Sequence, residues 1–212
     1  MPAPRHRLLL VLTEFPPAVG GMQTHASHLA AHLARRGHEV KVLTYRITDA
    51  ALAADAACFD AGASYPVHRS LSRLGFWSNV RHILAQIRQF RPDAVYASTV
   101  FYGLIAPHAG VPLLCRSVGN DVLRPWQGYP FALLGGLAAS PRLQHLTRRW
   151  TEHGWHPDWV DRLFRRRREH LMRQAAARHT RILANSGYTA GLLGVTGADA
   201  NGTVYIVGSG EK

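Results

Sequence analysis

The chain has few of the residues that build disulfide frameworks, metal sites and membrane spans. It contains only two cysteines, Cys58 and Cys115, and their separation fits neither a metal-ligand spacing nor an evident pair. This indicates free thiols in a reducing compartment. No stretch approaches the ~20 consecutive apolar residues of a membrane-spanning helix. The apolar run at residues 8–12 is also too short for a signal-peptide core. We therefore expect a cytoplasmic protein.

Lysine is nearly absent, and acidic residues are few. Lys41 and Lys212 are the only lysines, so almost all of the 25 basic residues are arginines, against 13 acidic ones. The formal net charge of +12 favours anionic partners such as nucleotide diphosphates, phospholipid surfaces or nucleic acid. Nucleic acid is the least favoured, because the sequence has no aromatic-interleaved basic pattern and no recognised nucleic-acid motif.

The sequence also lacks an evident catalytic or metal-binding arrangement. Glu14 is a single carboxylate without the partner that glycoside hydrolysis requires. His25 and His28 are three residues apart on a predicted helix, but no cysteine or carboxylate completes a metal site with them. We therefore assign no catalytic residue and no metal ligand.

One stretch, residues 7–44, carries the strongest local patterns. Its apolar run at residues 8–12 predicts a short strand that is buried on both faces of a sheet. The strand ends at residues 15–17, where Phe-Pro-Pro follows, because proline cannot donate to a sheet ladder. Gly20 and Gly21 come next, a pair that tolerates positive φ and lets another group approach the backbone closely.

A helix and a second strand complete this unit. Apolar residues recur at helical spacing over residues 22–36, and Gly37 stands where a helix-ending glycine belongs. Residues 40–43 predict another buried strand, which gives one right-handed βαβ unit. The glycine pair then lies at the carboxyl end of the first strand and at a helix N-terminus. Open α/β sheets bind ligands there, and a helix N-terminus attracts anions.

The residues FPPAVGGMQTHASHLAAHLARRGHEVKVLT resemble the N-terminal signature of GT-B glycosyltransferases of the family 4 type. This large retaining family includes many bacterial mannosyl- and glucosyltransferases. In the family, a strand ends in a proline-containing loop with a double glycine, and a helix and a second strand follow. The resemblance implies that residues 1–212 are one Rossmann-like domain, the N-terminal, acceptor-side half of a GT-B architecture. The C-terminal nucleotide-sugar domain is not encoded in this sequence.

The rest of the chain alternates strands and helices, which predicts a parallel α/β sheet with helices on both faces. Residues 45–65 are alanine-rich without a clear period, and we expect a loop and either a short helix or a bulge there. Residues 74–90 have helical spacing, with Trp77 among the apolar residues. Further strands are expected at residues 65–68, 94–97, 111–116, 181–184 and 204–207, and short helices at residues 101–109 and 188–193.

The loop after the strand at residues 111–116 continues the resemblance. Gly119, Asn120 and Asp121 match the family's H-G-x-D or R-G-N-D loop, which contacts the donor. The chain has Val118 before the glycine, where family members offer histidine or arginine to the sugar. Arg116 is a candidate to replace that side chain. For Asn120 and Asp121, an Asx turn or a helix N-cap is the alternative role.

Ser186 belongs to a second matching element, A-N-S-x-x-T-x-L, whose serine lies at the interdomain cleft in the family. Serine is also a favoured helix N-cap, so that role stays open. The predicted substrate- and donor-binding residues are Gly20, Gly21, Arg116, Gly119, Asn120, Asp121 and Ser186.

Two segments suggest contacts with an acceptor or a surface. Residues 124–154 are apolar and aromatic without periodicity, and they predict an acceptor groove, a membrane-touching lip or ordinary helix packing. Residues 155–178 predict one long helix with four consecutive arginines at residues 165–168. These arginines lie nearly all round the helical wheel. They fit either a solvated helix whose arginine stems cover a neighbouring surface or an anionic membrane contact.

The resemblance implies transfer of a sugar from a nucleotide-diphosphate sugar, the co-substrate, to a saccharide or lipid-linked acceptor. The family retains the anomeric configuration and generally needs no metal, so we expect no cofactor. Its C-terminal domain, in the same or a separate chain, supplies most nucleotide contacts, and we expect this chain alone to be inactive or nearly so. Two alternatives stay open: a non-catalytic saccharide-binding module, and a peripheral protein at the inner face of the membrane.

Overall fold

A computed structural model of the chain describes residues 4–73, 75–117, 121, 180–184, 186–195 and 204–206. Within these residues, seven parallel strands form one sheet in the order β3-β2-β1-β4-β5-β6-β7. The strands are β1 (Arg7–Val11), β2 (Glu39–Tyr45), β3 (Val67–Leu71), β4 (Ala94–Ala97), β5 (Leu113–Arg116), β6 (Thr180–Ala184) and β7 (Val204–Ile206). The helices are α1 (Gly21–Arg35), α2 (Ala50–Gly62), α3 (Phe76–Phe90), a 3-10 helix (Val100–Ile105), α4 (Ala106–Ala109) and α5 (Gly187–Val195).

The helices cover both faces of the sheet, so the predicted Rossmann-like fold is confirmed. On one face, Ala26 and Ala30 of α1 pack in an apolar cluster that Phe59 of α2 also contacts. On the other face, α3 and the 3-10 helix contribute to a second cluster, with Ile83 and Phe101 completely buried. This arrangement explains the short apolar strands, because a parallel sheet covered on both sides has no polar face.

β1 lies in the middle of this arrangement and shows the pattern most clearly. Leu9 and Val11 belong to the cluster beneath α3, whereas Leu10 belongs to the cluster beneath α1. Leu12, just past the strand, packs on the same side as Leu10. The run that the sequence placed in a strand at residues 8–12 is therefore buried on alternate faces, as predicted.

The predicted end of α1 is also confirmed. Gly37 has a φ of 88°, in the left-handed region that favours glycine. Its N–H donates to the carbonyl of Ala34, and the N–H of His38 donates to the carbonyl of Leu33 at 3.2 Å. These two bonds satisfy carbonyls that the helix end would otherwise leave open, as in a Schellman motif.

Residues 45–65 differ from the prediction, because α2 is a helix of 13 residues rather than a short one. Asp49 caps it by accepting a hydrogen bond from the N–H of Ala51 at 2.9 Å. Ala56 is the one residue of this helix that is fully buried. Alanine has the highest helix propensity, so a helix forms here without the amphipathic period by which sequence patterns are recognised.

The helix predicted at residues 74–90 begins two residues later, at Phe76, and Trp77 does not pack with the apolar residues among which it was predicted. Phe76 is buried, whereas 61% of Trp77 is exposed to solvent. The two rings touch edge to face, with their centroids 5.0 Å apart. Since neighbouring helical residues point about 100° apart, only one of them can face the sheet.

Several predictions lie outside the described residues. They concern the apolar segment at residues 124–154, the basic helix at residues 155–178, and Leu74. Among the residues that the structure does describe, none belongs to a helix with the length and apolarity needed to cross a bilayer.

Asn79 fixes the turn that leads from β3 into α3. Its side chain is almost completely buried, with 2% of the residue exposed. The amide oxygen accepts from the N–H of Ser72 at 2.8 Å, and the amide nitrogen donates to the carbonyl of Ser72 at 2.7 Å. One side chain thereby satisfies both backbone groups of a residue in the connecting loop.

We expect Asn79→Ala to lower the free energy of unfolding by about 2 kcal/mol, because both Ser72 groups lose a hydrogen-bond partner in a buried turn. Urea denaturation of the purified chain measures this change. The matched control is Ser78→Ala, whose exposed hydroxyl donates only to the carbonyl of Gly75. Equal stability of the two variants would show that the Asn79 amide is dispensable for the turn.

Candidate functional site

The strand order reverses at β1, which pairs with β2 on one side and β4 on the other. Such a reversal opens a crevice at the carboxyl edge of a parallel sheet, where ligands bind in this fold class. Thr13 and Ser98, in the loops after β1 and β4, join across it. The hydroxyl of Ser98 lies 2.9 Å from both the N–H and the hydroxyl of Thr13. This bond, which the sequence did not reveal, fixes the floor of the crevice.

A partly buried ion pair holds the proline-containing loop that follows β1. Arg69 donates through Nε and Nη2 to the two carboxylate oxygens of Asp60, at 2.7 and 2.8 Å. Nη2 also donates to the carbonyl of Pro16 at 2.6 Å. Bidentate contacts of this kind fix the relative orientation of the two side chains as well as the distance between them. The loop that leads to the glycine pair is therefore held by a side chain of β3.

Gly20 and Gly21 form the junction between this loop and α1. Neither residue uses the positive φ that glycine permits, since Gly20 is extended with a φ of 168°. A Cβ at Gly20 would lie 2.5 Å from the Oε1 atom of Gln23, which is the end of a flexible side chain and can move aside. At Gly21 a Cβ would meet no described atom within 4 Å. Protein packing therefore does not require glycine at either position, and Gly21 leaves open space in front of the helix N-terminus.

Among the described residues, no acidic side chain caps the N-terminus of α1, although the carboxylate of Glu14 lies beside its first turn. No side chain caps the helix, and its first turn contains no acidic residue among the described residues. The nearest charged partner in the loop, Glu14, instead accepts from the amide nitrogen of Gln23 at 3.1 Å. The backbone N–H groups at this end therefore keep the partial positive charge that favours an anionic ligand.

Asp121 is buried rather than directed at open space. One carboxylate oxygen accepts from the N–H of Val100 at 3.0 Å and from the hydroxyl of Thr99 at 3.3 Å. The other accepts from the hydroxyl of Ser117 at 2.9 Å. Asp121 thus ties the loop after β5 to the start of the 3-10 helix after β4. The alternative role, an Asx turn or a helix N-cap, does not describe these bonds completely, because they join two separate loops.

Arg116, the last residue of β5, lies close to the first turns of α1. Burial lowers the pKa of His25 below its usual 6.5, and the charges of Arg116 and His28 lower it further. The hydroxyl of Tyr96 lies 3.5 Å from Nε2 of His25. Burial raises the pKa of this hydroxyl to about 12, against the opposing effect of the guanidinium of Arg116. At neutral pH the cluster therefore carries its positive charge on Arg116.

Nε of Arg116 is itself buried, and it finds no hydrogen-bond acceptor within the described part of the chain. The sequence predicted Arg116 as a site residue but gave no signal that His25 and Tyr96 surround it. Tyr96 comes from β4 and His25 from α1, so their approach depends on the order of the strands.

Ser186 is the N-cap of α5. Its hydroxyl accepts from the N–H of Thr189 at 3.1 Å and lies 2.9 Å from the hydroxyl of Thr189. The capping alternative is therefore confirmed, and contact of Ser186 with a ligand stays a prediction. Gly119 and Asn120 lie outside the described residues, as does Val118.

Metal ligands are also scarce at this edge. Among the described residues, no three His, Cys, Asp or Glu side chains are grouped so as to hold a metal ion. Glu14 is occupied by Gln23 and by Arg73, whose Nη1 lies 3.4 Å away. The expectation of a metal-free site stays a prediction.

Removal of the Asp121 carboxylate should destabilise the fold whether or not a ligand is present. We expect Asp121→Ala to cost about 3 kcal/mol, because a buried N–H and two hydroxyls lose a charged acceptor. Asp121→Asn should cost less than half as much, since its amide oxygen can face Val100 while its nitrogen donates to Ser117. Chemical denaturation without ligand is the measurement. Full stability of the alanine variant would mean that Asp121 does not anchor the two loops.

Residues 19–117 match the sequence model described as Glycosyltransferase Family 4. They include the glycine pair, α1 and the first five strands except β1. None of the curated proteins matches the chain significantly in sequence.

Solved structures show the same fold. Sucrose-phosphate synthase from Thermosynechococcus elongatus is similar over 98% of this chain and 49% of its own, with 10% identity and a TM-score of 0.54. A shorter chain of that enzyme is covered to 90%, over 96% of this chain, with 9% identity and a TM-score of 0.52. LpCGTa, solved in complex with UDP, gives 18% identity and a TM-score of 0.50, over 97% of this chain and 53% of that one.

These identities are low enough that the structural likeness concerns the fold alone. The chain spans about half the length of the full sucrose-phosphate synthase chain, 49%, and 53% of LpCGTa. The family match and the shared fold agree with each other, and both agree with the signature at residues 15–44. The resemblance to the N-terminal part of a GT-B glycosyltransferase is therefore confirmed, and residues 19–117 match the model of Glycosyltransferase Family 4.

Proposed function

We propose that the chain is the acceptor-side domain of a retaining glycosyltransferase. It would move a sugar from a nucleotide-diphosphate donor to a saccharide or lipid-linked acceptor, with a C-terminal domain in the same or a separate chain. The family match supports glycosyl transfer in general. A structural relative was solved with UDP, which favours a nucleotide sugar as the donor.

The observation that carries the proposal is the uncapped N-terminus of α1 at the strand-order reversal. Within the described part of the chain it has no side-chain cap and no acidic residue in its first turn, and open space lies in front of Gly21. Arg116 adds a cation on the adjoining strand end. A diphosphate leaving group develops negative charge during transfer, and preorganised donors of this kind stabilise such charge.

The small number of donors to the diphosphate explains why we expect the chain alone to be inactive. One helix end and one arginine neutralise only part of a diphosphate, and the remaining contacts would come from the C-terminal domain. The proposal includes a cytoplasmic location and, through residues 165–168, contact with the anionic inner face of a membrane. An envelope saccharide is the acceptor class that this location favours.

The first test is a transfer assay on the purified 212-residue chain with uridine, guanosine and adenosine diphosphate sugars. We expect no turnover and no hydrolysis of any donor by the chain alone. Addition of a C-terminal nucleotide-sugar domain should restore transfer with retained anomeric configuration. Robust turnover by the chain alone would contradict the assignment of the missing donor contacts to a second domain.

The second test concerns Gly21 in the completed enzyme. We expect Gly21→Leu to lower turnover at least tenfold, because the side chain would occupy the space in front of the helix N-terminus. Stability should change by no more than about 0.5 kcal/mol, since a Cβ at Gly21 meets no described atom. Gly62→Leu is the matched control, because Gly62 is equally exposed and open but lies at the C-terminal end of α2 rather than at the N-terminus of α1. Unchanged turnover in Gly21→Leu would remove this glycine from the site.

A further inference from the structure

A second cavity lies at the carboxyl edge of the sheet, on the far side of the proline-containing loop from α1. It is bounded by the loops that follow β1, β2 and β3 and has a volume of about 220 Å³. The strand-order reversal lies between β1 and β4, so this cavity adjoins the crevice described above on the β2 side, and Thr13 belongs to both. Neither the family match nor the sequence signature assigns it a ligand.

The walls of this cavity carry an excess of positive charge. Arg46, Arg69 and Arg73 line it, whereas Asp49 is the one acidic residue among its described lining residues. Asp49 also caps α2 through the N–H of Ala51, which partly satisfies its carboxylate. Threonine hydroxyls, including that of Thr48, add neutral hydrogen-bonding groups to the wall. The composition favours an anion with further polar groups around it.

The three arginines are not equally available. Arg69 is committed to Asp60 and to the carbonyl of Pro16, so its role is structural. Arg73 makes one long contact of 3.4 Å with Glu14, and 58% of its side chain is exposed. Its guanidinium lies 4.8 Å from the centre of the Tyr45 ring, which holds it over the cavity. Arg46 is exposed and has no ion pair among the described residues. Arg46 and Arg73 are therefore the two cations that a ligand can recruit.

The size and chemistry of the cavity limit the class of ligand that it can bind. Arginine presents a planar fork of N–H donors that matches phosphate and carboxylate oxygens two at a time. Pockets for drug-sized ligands usually measure about 300–1,000 Å³. The smaller volume here suits a sugar bearing one anionic group better than a complete nucleotide sugar. Leu52, on the first turn of α2, adds an apolar side to the cavity, against which the carbon face of a sugar ring can pack.

We propose that this cavity binds the oxyanion of a negatively charged sugar acceptor, a phosphate or a carboxylate, through Arg46 and Arg73. The inference rests on the proposed glycosyltransferase function and specifies the acceptor class. Arg46 and Arg73 determine acceptor specificity and take no part in the chemistry of transfer.

The test is calorimetric binding to the complete 212-residue chain at low ionic strength, with glucose 6-phosphate, glucuronate, glucose and inorganic phosphate. We expect one or both of the charged sugars to bind at least tenfold more tightly than glucose. The two charged sugars distinguish a phosphate from a carboxylate as the recognised group. Failure of both to exceed glucose would overturn the proposal.

Three variants assign the binding to the cavity. Arg46→Gln with Arg73→Gln should weaken binding of the charged sugar at least tenfold. Arg35→Gln with Arg88→Gln removes the same charge from the ends of α1 and α3 at the opposite edge, and it should change affinity less than twofold. Asp49→Asn keeps a helix-capping side chain but removes the negative charge, so it should tighten binding severalfold. Equal losses in the two arginine pairs would overturn the proposal, because attraction by net charge alone would then explain the binding.

Competition with UDP separates this inference from the proposed function. The charged sugar and UDP should bind at the same time, and displacement of one by the other with the same dependence on Arg46 and Arg73 would overturn the acceptor assignment. Transfer to neutral acceptors only, by the completed enzyme, would also overturn it while leaving the proposed function intact. Binding of the charged sugar without transfer from any donor in the completed enzyme would instead overturn the proposed function.

Discussion

All strands of the described sheet run parallel, and the rest of the structure depends on this constraint. Every loop that follows a strand leaves the sheet at the same edge, so residues far apart in sequence meet there. Thr13 meets Ser98, and Asp121 meets Val100, without any local pattern that joins them. The opposite edge receives the helix ends and is tied by separate contacts such as the ion pair of Arg7 with Glu39. Ligand chemistry and helix termination are thereby kept on different sides of the molecule.

Elements with a strong period or a clear stop signal could be predicted from the sequence. The first strand and α1 follow from apolar spacing, and Gly37 marks the end of α1 because only glycine adopts its φ without strain. The length of α2 was underestimated because alanine stabilises a helix without producing the apolar spacing that identifies a buried face. Trp77 was predicted on the apolar side of the helix, but it follows Phe76 directly and points in a different direction. The ring of Phe76 therefore faces the sheet, and that of Trp77 faces solvent.

Within the candidate site, the glycine pair is the part whose position could be predicted from the sequence, because the backbone itself forms it. The glycine pair stands out because it has no side chains, and its position between a strand and a helix places it in the crevice. Asp121 and Ser186 were predicted as ligand contacts, yet the structure gives both of them structural bonds. The clamp of Arg69 on Asp60 has no sequence signature, since an arginine and an aspartate nine residues apart are common in any basic protein.

Glu14 touches both of the regions that would hold ligands. One of its oxygens accepts from Gln23 beside the glycine pair, and the other faces Arg73 at the rim of the cavity. An anion that takes over Arg73 leaves Glu14 without its cation and so changes the charge next to α1. By thermodynamic reciprocity, a donor bound at α1 must then change the affinity of the cavity by the same factor. A single carboxylate thus makes the affinities of the two regions depend on each other.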